Sequence, residues 1–315
     1  MDRRTLLQGT LAGWVGASAA GWAGVSLAPI VRAANSARSA SIVHLSDRTA
    51  VLSGLKDNVI AVSTGDGWLL IDSGSPGYTE SLLAGLHRLG GRKKVHTLLN
   101  THWHVDQTGS NAALGKAGAK IIAQAKTKAW ISTEHYDPAE DRYIAALPKS
   151  AWPAEVFYST GMLSVGSERV DYGYLVEAHT DGDAYYFFRN SNVLAVGHVC
   201  SPVHDPQLDW YGGGWLGGRL DALTRLHKLA DDQTKIVPAY GPVVSRSALK
   251  AEHDMLQVVY TRMVDLLRKG YSAQDMLNAG VMNGLTRKWA DPKKFVYAAF
   301  KGLWGHQDEL APNIV

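Results

Sequence analysis

A short apolar run at 95–99 ends in Asn100-Thr101 and delivers two histidines, His102 and His104, into the segment beyond it. Residues two apart in an extended segment project to the same side, so both imidazoles face one way. Two convergent neutral imidazoles supply half of a tetrahedral zinc shell, and Asp106, two residues further on, adds a carboxylate. Loops beyond the C-terminal ends of strands are where α/β sheets place their sites. The feature therefore asks for a sheet in which this strand is interior and its far end is functional.

The rest of the chain supplies such a sheet. Strand-like runs at 42–45, 59–63 and 68–71 precede a helix at 79–89 whose leucines share one side and whose stop is Gly90-Gly91. Helices at 111–118 and 126–132 flank a strand at 120–123, and this alternation argues an α/β layered domain. The proline-bearing stretch 134–157 reads as irregular and able to line or cover a site. Strands follow at 170–178, 184–189 and 193–196, then a helix at 216–229 and a strand at 235–237. From 245 to 315 the pattern is mostly helical, with helices at 248–268, 273–279 and 293–303. No linker composition or repeat divides residues 35–315, which read as one domain.

Thr101-His102-Trp103-His104-Val105-Asp106-Gln107 resembles the His-x-His-x-Asp-His motif of the metallo-β-lactamase superfamily. Other landmarks follow in that family's order. Asp72 in Ile71-Asp72-Ser73-Gly74 resembles the strand-end aspartate that supports the metal loop. His179 in His179-Thr180-Asp181-Gly182-Asp183 matches a further histidine ligand, with Asp183 beside it as a supporting carboxylate. His198 stands where the family has a metal-bridging aspartate, and Tyr240 in Pro238-Ala239-Tyr240-Gly241-Pro242 stands where it has a histidine. The resemblance implies a four-layer αββα sandwich with the site at one edge of its two sheets, and a helical C-terminal region.

The departures shape the expected chemistry. The resemblance leaves the first metal position intact as His102, His104 and His179. At the second only Asp106 survives, because Gln107 and Tyr240 replace histidines and His198 replaces the bridging carboxylate. Two dications about 3.5 Å apart repel by on the order of 20 kcal/mol at an effective dielectric near 20, and the usual bridging charge is missing. The expectation is one tightly bound Zn2+, with a second weak or absent. His198 and Gln107 are possible further ligands. Three histidines and a water make an open site that generates hydroxide near neutral pH. Asp106 would orient that hydroxide or take its proton, His198 would be a fourth ligand or a general acid, and Tyr240 would donate to an oxyanion. The expected function is hydrolysis of a small ester, lactone or amide, with a β-lactam less favoured. One alternative is a catalytically degenerate metal-binding protein acting through a partner; another is an iron redox protein.

Composition sets the outer limits. A net charge of +3 gives no basic footprint for nucleic acid, and the expected partner is a small molecule. Residues 1–34 carry Arg3-Arg4, a Gly/Ala-rich stretch and the small-residue site Val31-Arg32-Ala33-Ala34. These are the marks of a twin-arginine export signal, so the expected location is the periplasm, with membrane contact only through that signal. The single cysteine, Cys200, excludes a disulfide within the chain.

Overall fold

In the computed structural model, which describes residues 39–138, 141–307 and 310, strands buried on both faces are the organising element. The proposed export signal lies outside the described residues. Strands β1 (Ser41–His44), β2 (Thr49–Leu55), β3 (Asp57–Ser63) and β4 (Gly67–Ile71) run as an antiparallel meander. Helix α1 (Thr79–Gly90) then crosses to β5 (Lys94–Leu99), parallel to β4. After α2 (Val105–Thr108) and α3 (Asn111–Lys116) comes β6 (Lys120–Gln124), followed by α4 (Ala125–Ser132). A small hairpin of β7 (His135–Asp137) and β8 (Arg142–Ile144) precedes β9 (Glu155–Phe157). The first sheet has the order β1-β2-β3-β4-β5-β6-β9.

The second sheet consists of β10 (Thr160–Val165), β11 (Glu168–Tyr174), β12 (Ala184–Phe188), β13 (Val193–Gly197) and β14 (Lys235–Pro238) in sequential order. Helix α5 (Leu216–Leu229) joins the parallel pair β13 and β14. The chain ends with α6 (Arg246–Leu267), α7 (Ala273–Asn278) and α8 (Pro292–Gly305).

Alternation along the strands separates three cores. Ile60, Val62, Leu69 and Ile71 point between the sheets, where they meet Tyr186, Phe188, Val193 and Ala195. Their neighbours Val59, Ala61, Trp68 and Leu70 point the other way, onto Leu82 and Leu86 of α1 and Leu114 of α3. On the far side Tyr185, Phe187, Leu194 and Val196 pack against Leu223 of α5 and Leu256 and Val259 of α6. Each such large side chain taken from water contributes roughly 1.5–3 kcal/mol. The result is the expected αββα sandwich with a helical C-terminal region.

Several elements differ from the sequence reading. Strands β2 and β10 were not foreseen, and the stretch read as irregular at 134–157 holds the β7–β8 hairpin and the edge strand β9. The strand read at 170–178 stops at Tyr174, because Leu175 N–H turns to the Asp183 carbonyl and Glu177 adopts φ of 50°, which extended backbone does not allow.

Candidate metal centre

The C-terminal ends of β4, β5, β13 and β14 open at one edge of the sandwich, and the loop before β12 closes in beside them. Asp72 follows β4 with φ of 60°, its N–H bonded to the Leu99 carbonyl at the end of β5. Its carboxylate accepts from Thr101 N–H and Thr101 Oγ1, both at 2.7 Å. Burial pushes Asp72 up to about 8, against the pull of those two bonds. Asp183 does the same for the next histidine loop. It accepts from the backbone N–H of His179 at 2.6 Å and of Thr180 at 2.7 Å, and burial pushes it up to about 7. Gly197, with φ of 56°, brings His198 in close: a Cβ there would stand 3.0 Å from Thr101 Oγ1.

These loops bring His102, His104, His179 and His198 together, with one ring nitrogen of each within 4.8 Å of the others. His104 Nδ1 lies 3.1 Å from His179 Nε2, and His198 Nδ1 lies 3.3 Å from His102 Nε2. An ion with metal–nitrogen bonds of roughly 2.0–2.1 Å sets tetrahedral ligands about 3.3 Å apart, and these two pairs have that spacing. The outward nitrogens of the first three rings each have an acceptor. His102 Nδ1 meets Thr101 Oγ1 at 3.1 Å, His104 Nε2 meets Asp209 Oδ2 at 2.9 Å, and His179 Nδ1 meets the Gln207 carbonyl at 2.9 Å. Such partners fix which nitrogen keeps its lone pair for a metal. Burial, followed by the neighbouring rings, holds His102 and His179 well below the usual imidazole range, and so neutral and ready to ligate. For His104 burial is again the largest single influence and acts the same way, but the Asp209 bond together with the charges of Asp209, Asp106 and Asp183 raises the pKa overall.

The second metal position is arranged differently from the resemblance. Asp106 Oδ1 is sealed from solvent and has no hydrogen-bond partner among the described residues. Gln107 is wholly buried, and neither side-chain atom has a partner among the described residues. Tyr240 is 39% exposed on the wall of the cleft that His198 and Asp106 also line, with its ring 4.0 Å from that of His204. A carboxylate absent from the sequence reading lies here instead: Asp57 Oδ1 is 3.5 Å from His198 Nε2.

Two hollows adjoin the cluster. The larger, about 990 Å³, is walled by Asp57, Asp106, His198, Ser201, His204 and Tyr240. The smaller, about 210 Å³, runs beside the other face of His104 and Asp106. There Trp103 and Trp130 stack at 4.7 Å, and Arg142 and Ile144 of the β7–β8 hairpin complete the wall. The stretch read as able to line a site does so. Cys200 and Trp215 belong to the core, and His306 stacks on Trp215 at 4.2 Å.

Asp209 and the Gln207 carbonyl, both bonded to histidines of the cluster, went unseen in the sequence because they sit in a loop without regular pattern. Asp209→Ala is expected to weaken metal binding about 10–100-fold, the usual cost of losing an outer partner. Competition with a chromogenic chelator measures it, and an unchanged affinity would remove Asp209 from the site.

The fold is similar to several solved structures. A metallo-beta-lactamase from Pontibacter korlensis gives a TM-score of 0.57 at 21% identity, over 70% of this chain and 99% of that one. The stereoselective inverting sec-alkylsulfatase Pisa1 from Pseudomonas sp. gives 0.62 at 13% identity, over 87% of this chain and 52% of that one. The DIM-1 metallo-beta-lactamase gives 0.55 at 15% identity, over 70% and 97%. Among curated proteins none matches the chain. The sequence profile of the metallo-beta-lactamase superfamily matches residues 53–239, more than half of the chain and the whole span of the histidine cluster. The chain belongs to the metallo-beta-lactamase superfamily.

Proposed function

We propose that this protein is an exported zinc hydrolase acting on a small ester, lactone or amide, with His102, His104 and His179 holding the ion. The observation that carries the reading is the convergence of three lone pairs whose rings are each fixed from behind. When bound there, zinc would supply an activated water of pKa roughly 7 and polarise the scissile carbonyl. Asp106 Oδ1, bare and shielded, is the acceptor for the proton that the attacking water gives up. Tyr240, on the cleft wall, donates its hydroxyl to the oxygen that gains charge. The larger cleft has room for a substrate of small-molecule size, and the Arg3-Arg4 leader would carry the protein to the periplasm.

A second reading is a metal-binding protein without turnover. It is favoured by His198 Nδ1, which completes a four-nitrogen shell that would leave no place for water. A panel of aryl esters, lactones, amides and a β-lactam, assayed with zinc-loaded protein, separates the two. The hydrolase reading expects turnover abolished by chelation and restored by zinc, in protein recovered from the periplasmic fraction. Bound zinc without turnover on any substrate would favour the second reading.

A further inference from the structure

Beside the four-histidine cluster the cleft wall gathers a second set of donors. A carboxylate oxygen of Asp57, one of Asp106 and a ring nitrogen of His198 lie within 4.8 Å of one another. Asp57 is 7% exposed. Its position is built in. Lys56 takes φ of 68° to reverse the chain between β2 and β3, and Asn58, the residue after Asp57, anchors the turn. Asn58 N–H donates to the Ala239 carbonyl, and its Nδ2 donates to the carbonyls of Pro238 at 3.0 Å and Gly241 at 2.9 Å. The turn is thus fastened to the end of β14, and Asp57 faces the cleft.

A hydrogen-bonded pair with His198 would account for Asp57 alone. It does not account for Asp106, whose Oδ1 is shut off from solvent and accepts no hydrogen bond among the described residues. A buried, unpaired carboxylate oxygen is costly unless something positive meets it. Two carboxylates and one imidazole are a donor set that suits zinc or manganese.

We propose that Asp57, Asp106 and Nε2 of His198 form a second, more weakly held divalent-cation site. It rests on the reading of His102, His104 and His179 as the first site. The donors differ from those the family resemblance implies, since neither Gln107 nor Tyr240 takes part and Asp57 replaces them. The two carboxylates cancel the charge of the second cation, which removes the repulsion that a site with Asp106 alone could not offset.

Equilibrium dialysis of the metal-stripped full chain against graded zinc, with elemental analysis, tests this. Wild type is expected to bind two ions per chain, the second at least about tenfold more weakly. Asp57→Asn is expected to bind one, with the tight affinity kept and an unchanged circular dichroism spectrum. Should that variant fail to fold, Asp106→Asn is expected to give the same result. One ion in wild type at saturation, or two in a folded Asp57→Asn or Asp106→Asn, overturns the second site and leaves the first standing. No ion in wild type overturns both.

Discussion

The His102→Ala protein is expected to emerge from dialysis with less than about a tenth of the zinc that wild type retains. His102 is wholly buried at the centre of the cluster, with its ring centroid 4.9–5.1 Å from those of His104, His179 and His198. Loss of a partner behind a ligand typically costs 10–100-fold in affinity, and loss of the ligand itself costs more. Hydrolysis should fall with the metal. Stability should fall too, because an ion present at a thousand times its dissociation constant stabilises the folded chain by about 4 kcal/mol. For a domain of this size that amounts to a drop in Tm of roughly 8–16 °C, seen equally when wild type is treated with a chelator. Elemental analysis beside a thermal melt measures both effects. A variant that keeps a full equivalent of zinc would mean that the ion sits elsewhere.

The second large effect concerns a charge far from solvent. Arg219 of α5 is wholly buried and paired with Glu252 of α6 at 2.8 Å. Its guanidinium also donates to Ser201 Oγ at 2.9 Å and to the Gln207 carbonyl at 3.1 Å. Glu252 in turn accepts from Ser201 N–H at 2.8 Å. Arg219→Met leaves Glu252 as an uncompensated buried carboxylate, and denaturant unfolding should show a loss of about 3–5 kcal/mol. Arg219→Met combined with Glu252→Leu should recover much of it, since an apolar pair of similar volume carries no stranded charge. Because the same Gln207 carbonyl receives His179 Nδ1–H, the single variant should also bind metal less tightly. A loss below about 1 kcal/mol would show that Glu252 finds another partner or takes up a proton at little cost.

An α/β layered domain could be read from the alternation of strands and helices and from turns marked by glycine and aspartate, while the four-layer αββα arrangement came from the family resemblance. His102 and His104 were legible because their two-residue spacing follows a short buried strand, whereas His179, Asp72 and Asp183 were picked out only by the resemblance to the metallo-β-lactamase superfamily. What escaped was whatever depends on chain segments meeting from a distance. Asp57 reads as an ordinary turn residue in Leu55-Lys56-Asp57-Asn58, and only the fastening of that turn to Pro238 and Gly241 turns it into the cleft. Asp209 sits in a glycine- and aromatic-rich loop with no periodicity, yet it reaches His104 from 105 residues away. Strand β10 was missed because alternate residues along this edge strand are exposed, so it presents no apolar run.

The anchoring of Asn58 to the end of β14 spans 180 and 183 residues of sequence, and few closures cost a chain more entropy. The centre therefore cannot assemble within either half on its own: β3 and β5 supply one wall, and β13, β14 and the loop before β12 the other. It comes into being only once both sheets have docked, so bound metal acts chiefly by slowing escape from the native state rather than by hastening arrival there.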